Sequence, residues 1–254
     1  MKVKILGGHG GVTVGASATS FLIDGKLLID AGSVATTIPI SEQAEIENIL
    51  ISHSHLDHIK DLAFLCDNCF GIKPVPFQVW THETVKNIIK EHLFNNTIWP
   101  DFTVLPTAEK PTIRFNSIKP EETISIGNYR VTPVKVNHPN DAMGYIVESG
   151  DKAILFTLDT ATTERIWEVA KKFPNIKAIF TEVSFPNRLH HVATLSDHHT
   201  PLSLRVELLK MPAQVPVILT HLKPNFREEL NREIKAIGDS RVQLMERDGV
   251  EFEF

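Results

Sequence analysis

The stretch Ile51-Ser52-His53-Ser54-His55-Leu56-Asp57-His58 sets three imidazoles and a carboxylate directly behind the apolar run Ile46 to Ile51. Neutral imidazole nitrogen and carboxylate oxygen are the ligands that borderline divalent metals such as zinc prefer. In an extended segment His53 and His55 project to the same side, which suits two ligands of one ion. Asp57 and His58 follow as the chain turns, in position to face a second ion. A solvated polar turn accounts for one histidine, but not for ligand-type side chains at this density after an apolar strand.

Away from this cluster, short β-like runs recur with polar turns between them. Val3 to Leu6 leads into a turn at Gly7, Gly8, Gly10 and Gly11, where Gly8 and Gly10 are expected to supply positive φ. Ser20 to Ile23 and Leu27 to Ile29 flank Asp24-Gly25 and end at Asp30. Helical periodicity covers Asp57 to Cys66 and Thr84 to Phe94, then Thr163 to Lys172 and Arg227 to Ile237. Further strands are expected over 130–136, 143–147, 153–158, 176–181, 215–219, 242–245 and 250–254. Ligand-type residues stand where apolar strands stop, at His53, His138, Asp159 and His221. Rigid sheets hold side chains at such ends where substrate still reaches them. The expected architecture is one α/β domain, residues 1–254, made of two similar halves (about 1–125 and 126–254) with sheets packed between helical layers.

The chain has 254 residues, 42% of them hydrophobic, and a formal net charge of -5. That is enough for a sizeable core. No block of like charge marks a surface for nucleic acid or anionic lipid. No basic, apolar leader and no long apolar span is read, and two cysteines are too few for a disulfide framework, so a cytoplasmic protein is expected. Cys66 and Cys69 read as ordinary side chains near the end of a helix.

Taken together, these residues resemble the metallo-β-lactamase superfamily. His53-x-His55-x-Asp57-His58 is similar to its HxHxDH signature, and Asp30, His138, Asp159 and His221 match its remaining motifs in order. The resemblance implies a four-layered αββα sandwich. It also implies two divalent metal ions: His53, His55 and His138 on one, Asp57, His58 and His221 on the other, with Asp159 between them. His-Ser-His-Leu-Asp-His-Ile looks like the signature of class II 3′,5′-cyclic nucleotide phosphodiesterases, except that Asp61 stands where that family usually has glycine. Ile98-Trp99-Pro100, Glu182-Val-Ser-Phe-Pro-Asn-Arg188 and His198-His199-Thr200-Pro201 are similar to segments of the same family.

From that resemblance Glu182 and His198 are expected near a scissile phosphate, His198 as phosphate ligand or general acid and Glu182 orienting it. His199 is the neighbouring candidate. Trp99 and Phe102 are candidates for stacking on a base. His9 could face the mouth of the metal site. The expected reaction is hydrolysis of cAMP or cGMP to the 5′-nucleotide through a metal-activated hydroxide, with Asp57 or His198 protonating the leaving oxygen. Zinc is favoured, with manganese or iron suiting the same residues. The expected partner is a small anionic nucleotide. Neither stable nucleic-acid binding nor a membrane is expected, and a homodimer is left open. Competing readings are an RNA-processing nuclease, a thioester or lactone hydrolase, and a catalytically silent binding module.

Overall fold

The computed structural model describes residues 1–245 and 247–254. The first half of the chain lays down strands β1 (Lys2–Gly7), β2 (Ser20–Ile23), β3 (Leu27–Ile29), β4 (Asn48–Leu50), β5 (Phe77–Thr81) and β6 (Ile113–Ser117). Helices α1 (Val34–Thr37), α2 (Ile40–Gln43), α3 (Leu56–Cys69) and α4 (Glu83–His92) lie between them. The second half adds β7 (Ile124–Ile126), β8 (Tyr129–Lys135), β9 (Met143–Ser149), β10 (Lys152–Leu158), β11 (Ile176–Glu182), β12 (Val217–Thr220), β13 (Val242–Leu244) and β14 (Glu251–Glu253). Its helices are α5 (Arg165–Ala170), α6 (His190–Leu195), α7 (Pro201–Leu208) and α8 (Arg227–Lys235).

These strands form two seven-stranded sheets, ordered β14-β1-β2-β3-β4-β5-β6 and β13-β12-β11-β10-β9-β8-β7. The sheets divide at the connection from β6 to β7, but β14 returns to pair antiparallel with β1, so the halves interlock. Strand alternation sorts the core into three layers. In β2 and β3, Phe21, Ile23, Leu27 and Ile29 face the other sheet, where Tyr145, Phe156 and Phe180 meet them. Leu22, Leu28 and Ile49 face outward onto Leu62, Leu65 and Cys66 of α3 and Val85 and Ile89 of α4. Ile146, Leu155 and Ile179 of the second sheet likewise meet Trp167, Leu204 and Leu230 of its helices. Helix, sheet, sheet, helix is the order of layers, as a two-faced sheet demands when both faces are apolar.

β3 to β6 run parallel, as do β10 to β13, while β8 points the same way as β10 through antiparallel β9. Their carboxyl ends therefore open on one edge of the sandwich. Such edges carry ligands in α/β folds, because the connecting loops meet there. β5, β6 and β7 escape the sequence reading: Pro74 and Pro76 precede β5, and Ile113 to Ile126 lacks sustained alternation. The other strands and the four expected helices lie within a few residues of their expected bounds. No helix among the described residues is long and apolar enough to cross a membrane.

Phe180 sits at the centre of the inter-sheet layer, stacked on Phe156 at 4.9 Å and edge-on to Phe21 at 5.6 Å. Replacing it with alanine is expected to lower the free energy of unfolding by about 3–5 kcal/mol. Chemical denaturation checks this; a loss under about 1 kcal/mol would contradict the packing described.

Candidate metal centre

The strand ends bring His53, His55, His138 and Asp159 together, and beside them Asp57, His58 and His221; within each group the ligand atoms lie no more than 4.8 Å apart. Both sheets contribute. His53 lies just past β4, His138 past β8, Asp159 at the end of β10 and His221 at the end of β12, while His55, Asp57 and His58 enter through the first turn of α3. Asp30, Leu158 and His221 hold left-handed φ of 56°, 56° and 60°. Non-glycine residues adopt that conformation at a cost of about 1–3 kcal/mol, and they gather at functional sites.

A buried carboxylate aims one histidine of each group. Asp30 accepts from the Ser52 amide (2.8 Å), the Ser52 hydroxyl (2.7 Å) and His58 Nδ1 (2.7 Å). Ser52 Oγ in turn lies 2.9 Å from His53 Nδ1. Both imidazoles thus spend their Nδ1–H on this frame and turn Nε2 into the site. The opposite sheet repeats the device. Glu182 accepts from His198 Nδ1 (2.8 Å) and from the Ser184 hydroxyl (2.8 Å), and Ser184 Oγ lies 2.9 Å from His221 Nδ1. His138 is held differently, donating from Nδ1 to the Asp197 carbonyl at 2.9 Å. Partners of this kind fix tautomer and ring direction.

The unused atoms converge. His53 Nε2, His58 Nε2 and Asp159 Oδ1 are buried without a hydrogen-bond partner among the described residues. His138 Nε2, left with a lone pair, faces His55 Nδ1 at 3.2 Å. Asp159 Oδ2 stands 3.2 Å from both His58 Nε2 and His221 Nε2, 3.7 Å from His53 and 4.0 Å from His138. Lone pairs pointed at one another and at a carboxylate need a cation, so the donor set fits metal binding.

The electrostatics agree. Burial, aided by neighbouring imidazoles, pushes His53, His55 and His138 below the usual histidine range, leaving them neutral as ligands must be. Burial also disfavours the charged form of His58, but Asp159 and Asp30 outweigh it and drive that pKa well above the usual value. Burial would raise Asp57, yet His221 and His58 beside it hold its carboxyl far below the carboxylate range. The field around Asp57 and Asp159 favours bound positive charge.

His198 makes a third group with Asp159 and His221, whose ligand atoms also lie within 4.8 Å of one another. It is 9% exposed, its ring 5.0 Å from that of His138 and stacked at 5.2 Å on that of His221. Burial opposes its charged form, but Glu182 prevails and raises the pKa. His199 turns away, its Nδ1 3.0 Å from Ser203 Oγ at the start of α7.

Several expectations need correction. Phe102 is buried in the outer core against Phe70 and Phe94, and Trp99 packs edge-on to Phe64 of α3. Both anchor the loop after α4 to that helix, and the burial of Phe102 leaves its ring no open face for a base. Gly8 and Gly10 have no positive φ. They are needed for space: a Cβ on Gly10 would lie 2.6 Å from the His221 ring, and one on Gly8 would strike Met245. His9 is buried 3.5 Å from Asp248 and does not join the ligand groups. Asp61 ties α3 to the segment after Asp30, accepting from the Ala35 amide (2.8 Å) and from Lys60 (2.6 Å).

Ser52 and Ser184 carry the positioning, and no feature of the sequence singled them out; each follows a strand by two residues and stands between a carboxylate and a ligand. Ser184→Ala is expected to weaken metal binding at the His221 position by about 10–100-fold while leaving the His53 position filled. Metal titration of the metal-free variant checks this, and unchanged affinity at both positions would contradict it.

A family model described as "Beta-lactamase superfamily domain" matches residues 26–222. A protein of Yersinia pestis described as "Probable 3',5'-cyclic-nucleotide phosphodiesterase" is 26% identical, the match covering 99% of this chain and 86% of the relative. "Probable metallo-hydrolase YhfI" of Bacillus subtilis is 21% identical, with 96% of each chain covered. Among solved structures, unliganded yeast PDE1 superposes with a TM-score of 0.80 at 19% identity over 98% of each chain. With the layered sandwich and the ordered ligand groups already in hand, the chain belongs to the metallo-β-lactamase superfamily.

Proposed function

We propose that this hydrolase-fold protein is a 3′,5′-cyclic-nucleotide phosphodiesterase that opens cAMP or cGMP to the 5′-nucleotide. The observation that carries the reading is His198, held by Glu182 and set against the rings of His138 and His221, where both ligand groups meet. A proton donor at that place serves a phosphodiester bound across the two groups. The Yersinia pestis relative, matched over nearly the whole chain, supports the same substrate class.

His53, His55 and His138 would hold one ion, Asp57, His58 and His221 the other, with Asp159 between; zinc suits the imidazole-rich set. Two ions bound there would supply a water of lowered pKa and counter-charge for the phosphate. Asp57, whose carboxyl the histidines beside it hold far below the carboxylate range, would serve as a ligand. The attacking water loses a proton to solvent as its oxygen adds to phosphorus and the bond to the 3′-oxygen breaks, and His198 gives its Nε2 proton to that oxygen. Glu182 holds His198 in place throughout through Nδ1.

Two outcomes check the roles. His198→Ala is expected to lower kcat by about 10²–10⁴-fold while bound metal stays constant; loss of metal together with activity would make His198 a ligand instead. Asp159→Ala is expected to lose metal and turnover together, and full activity in a metal-depleted sample would sink the account. For the substrate, the metal-loaded protein should cleave cAMP, cGMP and bis(p-nitrophenyl) phosphate. Cleavage of a thioester without any phosphodiester cleavage would overturn the phosphodiesterase reading.

A further inference from the structure

One wall beside His198 has no part in the mechanism above. Phe185 directly follows Ser184, and its half-buried ring lies 5.9 Å from that of His198. Its amide donates to the His199 carbonyl at 3.2 Å, which ties it to the loop presenting His198. Lys223, two residues past His221, carries its ammonium over the Phe185 ring, 5.7 Å from the centroid. Phe226 backs Phe185 at 6.4 Å. Arg188 covers Phe226 at 5.3 Å, with its charge matched by Glu229 at 3.0 Å. The Lys223 ammonium, in contrast, forms no ion pair among the described residues.

A half-buried aromatic ring offers a face on which any base stacks. The ammonium above it offers three donors and no acceptor. His198 stands between this pair and the ligand groups, with His138 and His221 on its inner side. A phosphodiester held at the ligand groups would therefore lay its sugar across His198 and bring its base to Phe185.

We propose that Phe185 and Lys223 form the base-binding edge of the site, with Phe185 stacking on the base and Lys223 selecting guanine over adenine. This rests on the phosphodiesterase reading and names the nucleotide within it. Guanine presents two adjacent acceptors, O6 and N7; adenine replaces O6 with an amino group, a donor that an ammonium cannot accept from. The influence of Lys223 already reaches His198, where it opposes the imidazolium.

The test is calorimetric titration of the metal-loaded protein with 5′-GMP and 5′-AMP, for the natural chain, Lys223→Met and Phe185→Leu. The natural chain is expected to bind GMP about tenfold more tightly than AMP, and Lys223→Met to erase that ratio. Phe185→Leu is expected to weaken both nucleotides by about tenfold. An unchanged GMP-to-AMP ratio in Lys223→Met would overturn the proposal, as would an equal loss for both nucleotides, which would place Lys223 on the phosphate. Binding is read without turnover. Failure to hydrolyse either cyclic nucleotide would count against the phosphodiesterase reading and leave this outcome separately decided.

Discussion

Asp159 puts a carboxylate where water does not reach it and the nitrogens of His53, His58, His138 and His221 do. Taken alone that arrangement is costly, because a buried anion has only crowded, buried imidazoles to offset its charge. A bound cation removes the conflict and turns it into affinity. The strained strand ends at Leu158 and His221 make sense on the same terms. They hold backbone in costly conformations so that Asp159 and His221 reach a common point.

Each sheet solves the aiming problem in the same way. Asp30 on one side and Glu182 on the other each hold one histidine directly, His58 and His198, and a second through a serine, Ser52 to His53 and Ser184 to His221. In the first sheet both aimed histidines belong to the ligand groups. In the second, His221 stands with Asp57 and His58, and His198 forms a further group with Asp159 and His221. The same scaffold device thus aims two histidines on each side of the site.

Much of this was legible in the sequence for a physical reason. Metal ligation needs several donors at one point, so His53, His55, Asp57 and His58 crowd into one turn, and the remaining ligands sit where apolar runs stop. The layered fold followed from alternating apolar runs that needed cover on both faces. The serines stayed hidden because Ser is common and its role lies in a contact made across the fold. Phe102 misled because an aromatic in a long loop looks alike whether it meets solvent, ligand or core; packing on Phe70 and Phe94 decided it. Gly8 and Gly10 were read for backbone freedom, whereas the demand on Gly10 is the His221 ring, distant in sequence. Phe185 stood in a segment noted only for its family likeness and Lys223 gave no signal, since their pairing joins the segments after β11 and β12.

The most direct test of the two-metal account is anomalous X-ray diffraction from crystals of the metal-loaded protein, recorded across the absorption edge of the bound metal. The account predicts two peaks about 3.5–4 Å apart. One should lie among His53, His55 and His138, the other among Asp57, His58 and His221, with Asp159 between them. A single peak, or peaks away from these side chains, would contradict it.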